Sequence, residues 1–359
     1  MRILIEPNDV LMFREPKPFT AGEAHLARSV LPLPQAIAGA LRSAILIKSN
    51  FSDDACEFVG VVKENRKIVE AKDPNFEILG CFPFKGEELF STPLDIAKAK
   101  GIEGYFFVRP LKLWNGKYIF GGKHIHFESV EGFLSYSDLL KYLKGELNDE
   151  ELENVVKSNA EVYCKESRIG IKLSDARVSE EGFLYKTEFL RLKENVKFSI
   201  WLGKGYNKLK DFLDEDIIRL GGEGRFARIK FENKNLLDML VRAWDKIKEK
   251  INNSGRLKLY IATPTLINAN NAYSWDIKDV LRSELKIEIK NIYPLIGKPL
   301  SFSGWDYAEN RPKSTRYAIP AGSVYFIEFK GKIELDKPYI KLGENTKLGY
   351  GLCLLGVWE

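Results

Sequence analysis

The chain has 359 residues, of which 45% are hydrophobic and 12% aromatic, enough apolar material to bury the cores of about two domains. Its 55 Lys and Arg against 50 Asp and Glu leave a net charge of +5, which excludes a polybasic or acidic tail, so a nucleic-acid surface would have to be local and built from placed arginines. Four scattered cysteines without a C-x-x-C pair, and no apolar stretch of membrane-spanning length, predict a reduced, cytoplasmic protein without a structural zinc.

The first half of the chain predicts a strand, a helix and several short strands. MRILIEP is typical of a first strand, and apolar residues at helical spacing predict a helix that starts at Pro34. Residues 50 to 75 are polar and broken, which indicates a surface excursion, whereas residues 77 to 118 alternate short apolar runs with Gly and Pro. A helix over YSDLLKYLKGEL, with Ser137 as its N-cap, and a short helical segment at DEELENVVKS follow.

The second half predicts strands at RIGIKL, GFLYKTEFLRL and VKFSIWLG, with a hairpin turn at residues 179 to 182. The strongest helical pattern, NLLDMLVRAWDKIKEKI, has an expected apolar stripe of Leu236, Leu237, Leu240, Val241, Trp244, Ile247 and Ile251. Four further strand-like runs complete the chain. We therefore predict an α+β protein of two ferredoxin-like (βαββαβ) domains with insertions, at residues 1–175 and 176–359.

LGGEGRFARIKF, at residues 220 to 231, has the glycines of a phosphate-binding loop but not its context. A P-loop or a dinucleotide fingerprint leads into a helix, whereas FARIKF is typical of a strand, and no Lys-Ser or Lys-Thr follows. Glycine allows a backbone to approach a ligand closely, and arginine binds phosphate with two donors. The sequence thus predicts either an RNA contact or a plain tight turn, with the candidate residues Gly221, Gly222, Gly224, Arg225 and Arg228.

A second loop, KLGYGL, combines a cation, two glycines and an aromatic residue in front of an apolar strand. A cation for phosphate, glycine for close approach and an aromatic ring for base stacking are features expected of single-stranded RNA binding. The candidates are Lys347, Gly349, Tyr350 and Gly351.

Two irregular basic segments add further candidates. ENRPKSTRYAIPAGSVYF is a basic, hydroxyl-bearing loop that leads into a strand, and a solvated surface loop is its alternative interpretation. FREPKPFTAGEAHLARS is long for a loop and rich in cations, which favours a functional role. The candidates in the first segment are Arg311, Lys313, Ser314, Thr315 and Arg316, and those in the second are Arg14, Lys17, Phe19, His25 and Arg28.

The sequence offers few residues for catalysis. His124 and His126 would share one face of a strand, but no carboxylate or thiol cluster accompanies them, so we expect no metal site. His25, beside Glu23, has the chemistry of an acid or base for attack by an RNA 2′-hydroxyl, although a lone histidine is more often structural. No hydrolase or metalloprotease motif is evident.

Taken together, these segments resemble the third-subunit family of the Cmr complex, the type III-B CRISPR effector, within the RAMP superfamily of RNA-binding proteins. The resemblance covers essentially the whole chain. It rests on the order and spacing of EPNDVLMFREPKPFTAGE, LPLPQAIAGALRSAIL, ESRIGIKLSDARVSEEGFLYKTEFLRL, LGGEGR, RPKSTRYAIPAGSVYF and LGYGLCLLG, at residues 6–23, 31–46, 166–192, 220–225, 311–326 and 348–356.

The resemblance implies two ferredoxin-like domains, binding of the repeat-derived 5′ handle of the crRNA, and contact with the large polymerase/cyclase-like subunit and other RAMP subunits. It also implies that the chain is not a nuclease and needs no cofactor. Arg42 and Arg168, which fall within matching stretches, join the RNA-binding candidates. Related RAMP endonucleases use a histidine in the N-terminal half, but His25 has no residue-by-residue match to it, so no catalytic role is carried over.

We therefore predict a non-catalytic RNA-binding scaffold in antiviral defence. Two alternatives stay open at this point. One is a metal-independent endoribonuclease that cuts repeat RNA with His25, and the other is an assembly subunit whose basic loops dock an acidic protein partner.

Overall fold

The structure, a computed structural model, describes residues 1–14, 26–27, 29–65, 67–113, 115–173, 179–214, 216–234, 237–269, 272–306 and 309–358. The chain forms two compact units, each assembled from three segments. The first unit contains residues 1–81, 160–233 and 301–316, and the second contains residues 82–159, 234–300 and 317–359. No helix in the described ranges is long and apolar enough to cross a membrane.

The helices of the described residues are short, and Pro34 occupies the first turn of the helix that it opens. In chain order they are α1 Pro34–Lys48, α2 Asp53–Val59, α3 Tyr136–Lys144, α4 Leu152–Val155, α5 Asn159–Val162, α6 Tyr206–Leu213, α7 Asp238–Ser254 and α8 Lys278–Leu285, with a 3₁₀ turn at Asp149–Glu151.

The strands of the larger sheets and of the long hairpin are β1 Arg2–Pro7, β2 Ile78–Lys85, β3 Glu87–Ser91, β4 Phe133–Ser135, β5 Tyr163–Leu173, β6 Ser179–Leu192, β7 Lys197–Leu202, β8 Ile217–Arg219, β9 Phe226–Glu232, β10 Arg256–Ile261, β11 Glu288–Leu295, β12 Val324–Lys330, β13 Tyr339–Lys341 and β14 Leu352–Val357. Shorter strands lie at Leu26–Ala27, Val61–Glu64, Lys67–Ala71, Ile96–Lys98, Tyr105–Phe107, Arg109–Lys112, Tyr118–Gly121, Glu128–Ser129, Asn268–Ala269, Ala272–Tyr273, Leu300–Phe302, Trp305–Asp306, Arg311–Pro312 and Arg316–Ala318.

The first unit contains residues 78–81 of β2 and the strands β7, β1, β9 and β8, in the order β2-β7-β1-β9-β8. The central strand β1 pairs antiparallel with β7 on one side and with β9 on the other, so that Ile5 lies opposite both Phe198 and Ile229. These three side chains are fully buried. Helix α1 contacts α2, α6 and β8 within the same unit. The long hairpin of β5 and β6 belongs to this unit, and Leu26–Ala27 pairs with β6 in parallel orientation.

The second unit contains a sheet in the order β11-β12-β10-β14-β13, with β10 pairing antiparallel with both β12 and β14. All six residues of β14 are buried, which is the continuous apolar pattern of a strand covered on both faces. Helices α3 and α7 contact β14, and α8 contacts β11. The unit also contains the pairing of β3 with β4. The central strands β1 and β10 are antiparallel to both of their neighbours, so the chain is a mixed α/β protein with antiparallel sheets.

The division into units differs from the single predicted boundary at residue 175. Strand β1 requires partners at residues 197–202 and 226–232, and β12 and β14 require β10, so each sheet takes strands from distant parts of the chain. The expected surface excursion at residues 50–75 is also wrong as a description, because it contains α2 and a small hairpin, and Phe58 of α2 is buried.

Several local predictions require correction. The N-cap of α3 is Ser135, which accepts a hydrogen bond from the amide of Asp138, whereas the hydroxyl of the predicted cap, Ser137, donates to Glu87. The predicted hairpin turn at residues 179–182 lies within β6, and Ser179 is already paired with Leu173 of β5. Val241 of the predicted stripe on α7 is 46% exposed, because the buried face is narrower than the apolar sequence pattern.

The glycine Gly351 provides a test of this fold, because its missing side chain is a packing requirement. A Cβ atom there would lie 2.1 Å from the carbonyl oxygen of Leu342, at φ +77°. We expect Gly351→Ala to destabilise the protein by about 2 kcal/mol or more, since the left-handed conformation and the collision add. Gly86 has the same φ of +77° but open space around its Cβ position. Gly86→Ala is therefore the matched control and should have the smaller effect in denaturant unfolding; equal effects would contradict the packing described.

Candidate nucleic-acid interface

One face of the β5–β6 hairpin in the first unit carries an arginine cluster. The register places Glu166 opposite Phe189, with Arg168 and Arg191 two residues away on the same face of their strands. Arg168 donates to Oε1 of Glu166 from Nε at 2.9 Å and from Nη2 at 2.6 Å. The Nε atom of Arg191 donates to Oε2 of the same carboxylate at 2.8 Å. Glu166 thus fixes two guanidiniums at once.

Asp9, just after strand β1, extends this cluster to the glycine loop. Its two carboxylate oxygens lie 3.2 Å from Nη2 of Arg191 and 3.3 Å from Nη1 of Arg225. The guanidinium carbons of Arg168 and Arg225 lie 5.0 and 5.1 Å from the centre of the buried Phe189 ring. The sequence-predicted candidates Arg168 and Arg225 are therefore brought together around one aromatic ring.

The cluster has more positive charge and more donors than its carboxylates can satisfy. Three guanidiniums face two carboxylates, and arginine carries several N–H groups in a rigid fork. Arg168 and Arg191 are 40% and 43% exposed, so part of each fork faces solvent. This arrangement can bind a phosphate oxygen without reorganising its side chains, because the carboxylates already hold the forks in place.

The electrostatics of the cluster agree with this geometry. Hydrogen bonds, first from Arg191 and then from Arg168, lower the pKa of the Glu166 carboxyl group. The amide of Val10, followed by the charges of Arg191 and Arg168, lowers the pKa of Asp9. Both carboxylates therefore remain ionised down to lower pH than ordinary acidic side chains, and the cluster keeps its arrangement across the neutral range.

The glycine loop at residues 220–225 connects β8 and β9, and its glycines contact another segment of the same chain, which the sequence did not predict. A Cβ atom on Gly221 would lie 2.6 Å from the carbonyl oxygen of Met12, and the amide of Gly222 donates to that oxygen at 2.8 Å. Gly221 therefore serves a close approach within the chain itself. Gly224 has a φ of +61° and open space at its Cβ position, which is the geometry of a tight turn.

The second predicted loop does not present its aromatic ring to a base. Tyr350 is fully buried, so its predicted stacking role is wrong for this conformation. Gly351 approaches Leu342 and donates from its amide to Pro264, while Gly349 has a φ of +101°. Lys347 is the exposed cation of this loop. The loop packs its glycines and its aromatic residue inward because an apolar strand follows immediately.

The basic segment at residues 311–316 lies beside a small hairpin in the first unit. Trp305 pairs with Pro312 and is 49% exposed, and the predicted candidates Arg311, Lys313 and Ser314 are also exposed. Arg311 pairs with Glu309, and Lys313 lies 3.9 Å from Asp306. Trp305 is an aromatic candidate that the sequence analysis did not single out, and its signal was a tryptophan between glycine and aspartate in a polar segment.

The remaining candidates are dispersed. Arg42 donates from Nη2 to the carbonyl oxygens of Gly60 and Lys72, so the structure gives it a role in holding the chain together. Arg14 is exposed and lies in a bridge to Ser29, Arg228 is exposed on β9, and Arg316 is partly exposed. The predicted residues Lys17, Phe19, His25 and Arg28 lie outside the described residues.

The histidines do not share a strand as expected. His124 and His126 lie between Tyr118–Gly121 and Glu128–Ser129, and the ring of His124 makes an edge contact with Phe106 at 5.3 Å. Among the described residues, no group of three or more His, Cys, Asp or Glu side chains is arranged to hold a metal ion.

Comparison with known proteins identifies the chain's relatives. A family model described as CRISPR-associated protein (Cas_Cmr3) matches residues 3–358. The chain is similar to one chain in each of two cryo-EM structures of the type III-B Cmr-beta bound to cognate target RNA, one of which also contains AMPPnP. Each match has 20% sequence identity and a TM-score of 0.52, and it covers 91% of this chain and 86% of the matched chain. A chain of the type III-A Csm3-Csm4 subcomplex matches at 13% identity and a TM-score of 0.46, covering 100% and 99% of the two chains. No curated protein sequence matches.

The hydrogen bonds of Glu166 to Arg191 and Arg168 predict how its carboxyl pKa changes when either arginine is removed. Because Arg191 is the main cause of its lowered pKa, Arg191→Ala should raise the pKa of Glu166, and Arg168→Ala should raise it less. Carboxyl-carbon NMR titration from pH 7 downward measures this directly. Since the folded pKa is depressed, the stabilisation exists above the unfolded pKa and is lost as pH falls through the folded value. An unchanged Glu166 pKa in Arg191→Ala would contradict the cluster.

Proposed function

The chain belongs to the CRISPR-associated Cas_Cmr3 family, and on that premise we propose that it is an RNA-binding subunit of a type III-B effector complex. Its proposed ligand is the repeat-derived 5′ handle of the crRNA, and its proposed protein partners are the large polymerase/cyclase-like subunit and other RAMP subunits. Two structures of similar fold, both of a type III-B Cmr-beta bound to cognate target RNA, support this assignment at the level of fold.

The observation that carries the proposal is the arginine cluster around Phe189. Arg168, Arg191 and Arg225 are held by two carboxylates with donors to spare, on a partly exposed surface of the first unit. A chain with a net charge of only +5 has little general attraction for RNA, so a local group of fixed guanidiniums is the feature best suited to hold a phosphate backbone in one register.

The strand order supports a ferredoxin-like origin for each sheet. The first sheet is built from elements that occur in the chain order β1, α1, β2, β7, α6 and β9. Within the sheet, the four strands of this set lie side by side in the order β2-β7-β1-β9. This is second-third-first-fourth, the order we assign to a βαββαβ unit. In the second unit, β10, α8, β11, β12 and β14 give the same order, β11-β12-β10-β14. Residues 331–351, which include the second glycine loop, stand where the second helix would be.

We propose no catalytic step for this chain. The groups that face one another in the arginine cluster are three guanidiniums, two carboxylates and the Phe189 ring, and the carboxylates are kept ionised by their arginine partners. Its chemistry is therefore that of binding and orientation. The RNA is held intact, with its 5′ end presented to the neighbouring subunits.

The binding role predicts that Arg168→Ala combined with Arg225→Ala weakens binding of labelled crRNA by about 10-fold or more, since a hydrogen bond to a charged group contributes about 1.5–3 kcal/mol. A matched double variant, Arg242→Ala with Arg282→Ala, removes the same charge from helices α7 and α8, where each arginine pairs with a nearby aspartate. Filter binding at two salt concentrations should show wild-type affinity for this control and a preference of the wild type for the native over a scrambled handle.

Two outcomes would contradict the proposal. Discrete cut products in EDTA on a denaturing gel, abolished by His25→Ala, would favour the endoribonuclease. Tight association with the large subunit without measurable RNA affinity, alone or in the complex, would favour the assembly subunit.

A further inference from the structure

A second surface of the first unit combines an aromatic ring with cations, on the exposed face of the β8–β9 ribbon. The antiparallel register places Arg219 opposite Phe226 and Ile217 opposite Arg228. Directly paired residues project to the same face of a sheet, and all four of these side chains are exposed, whereas Ile218 and its partner are buried. The ribbon thus has one buried face and one exposed face.

Phe226 is the centre of the exposed face. Its side chain is 44% exposed, although a phenylalanine ring gains free energy when it is removed from water. The guanidinium of Arg219 lies 5.7 Å from the ring centre, within the range of a cation–π contact. One part of the ring is therefore covered by a cation, and the rest is available to a flat partner.

The charge on this face is positive. Lys230 lies two residues beyond Arg228 on the same side of β9, and no carboxylate in the described ranges forms an ion pair with Arg219, Arg228 or Lys230. Glu6 lies opposite Arg228 in the register, but its carboxylate is 2.7 Å from the ammonium group of Lys197. Within the described residues, the face therefore offers three cations without an ion-pair partner.

We infer that this exposed face, defined by Ile217, Arg219, Phe226, Arg228 and Lys230 and termed the ribbon platform, binds single-stranded RNA by stacking a base on Phe226. The cations on either side of the ring hold the flanking phosphates. Stacking on an aromatic side chain with cations along the backbone is the general mode by which sheet surfaces bind single strands. The inference rests on the proposed RNA-binding function and adds to it a second contact whose main contribution is stacking.

The composition of the ribbon platform favours RNA over a protein partner. The centre of a protein interface is depleted of charge, whereas here three cations without ion-pair partners among the described residues share the exposed face with one ring. Two apolar side chains, Ile217 and Phe226, are also too few to form a sizeable hydrophobic patch. A single strand satisfies both the charge and the aromatic face.

The ribbon platform and the arginine cluster are formed by different side chains. Arg225 contacts Asp9 and lies over Phe189, while the next residue, Phe226, is the first residue of β9 and is packed by Arg219. Substitutions at Phe226 therefore leave the ion pairs of Asp9 and Glu166 in place, and the two contacts can be tested independently.

The test is fluorescence anisotropy with the full-length chain and 5′-fluorescein crRNA that carries its native handle, at several salt concentrations. Phe226→Leu should weaken binding by about 5-fold or more without changing the salt dependence, because it removes a stacking ring and no charge. Phe226→Tyr, which keeps an aromatic ring, should bind crRNA with the affinity of the wild type. Arg228→Gln should instead reduce the slope of log affinity against log salt by about 0.7, the value for one phosphate contact on a single strand.

Met239→Leu is the matched control, because Met239 is also 44% exposed but lies on α7. Its affinity should equal that of the wild type, and thermal melting should show both leucine variants folded. If Phe226→Leu bound crRNA with wild-type affinity, the ribbon platform would be overturned.

If the double variant Arg168→Ala with Arg225→Ala nevertheless bound crRNA more weakly, the proposed RNA-binding function would stand without the ribbon platform. An RNA affinity unchanged in Phe226→Leu, with weakened association with the purified large subunit, would make the ribbon a protein-docking surface. Absence of RNA binding by the wild type would remove both proposals.

Discussion

The pairing of the first strand, Arg2–Pro7, with two strands about two hundred residues away is the constraint on which both candidate surfaces depend. β1 lies between Lys197–Leu202 and Phe226–Glu232, with Ile3 and Ile5 fully buried on the core side. Closing such long loops costs conformational entropy, which the burial of this apolar row offsets. The pairing brings Asp9, just beyond the strand, to the guanidiniums of Arg191 and Arg225.

Glycine has a different role here from the one its clustering suggests. Gly221, Gly343 and Gly351 each lie where a Cβ atom would be 2.6 Å or less from a carbonyl oxygen of the same chain. The loops therefore use glycine to let the protein's own segments meet, and the amide of Gly222 already donates to the carbonyl oxygen of Met12. A glycine-rich loop next to a cation is thus compatible with binding even when part of its backbone already has a partner within the chain.

Helices and strands that follow from the local sequence pattern could be predicted, whereas the distant strands with which they pair could not. The helix from Pro34 and the alternating strand FARIKF follow from periodicity, and both are present as α1 and β9. The order of several segments also indicated a family of CRISPR-associated Cmr proteins, and the match of the Cas_Cmr3 model over residues 3–358 shows that family. Periodicity also indicates which side chains share a face, but it does not say whether that face is covered.

The errors at the site have this same origin. Tyr350 was expected at a ligand because of its neighbours in sequence, yet it is buried, and Arg42 was expected on RNA but donates to two carbonyl groups. Phe226 and Trp305, which the sequence patterns did not single out, are both exposed aromatic residues with basic neighbours. Their exposure depends on strand order and register, which are set by contacts between residues far apart in the chain.

In the function proposed above, this chain holds RNA intact on the basic and aromatic surfaces of its first compact unit. The most direct measurement is photocrosslinking of the purified chain to crRNA with 4-thiouridine in its handle, followed by peptide mapping and a denaturing gel of the RNA. We expect full-length RNA crosslinked to peptides that contain residues 166–168, 189–191 or 217–230. Cut RNA, or crosslinks confined to the second unit, would contradict it.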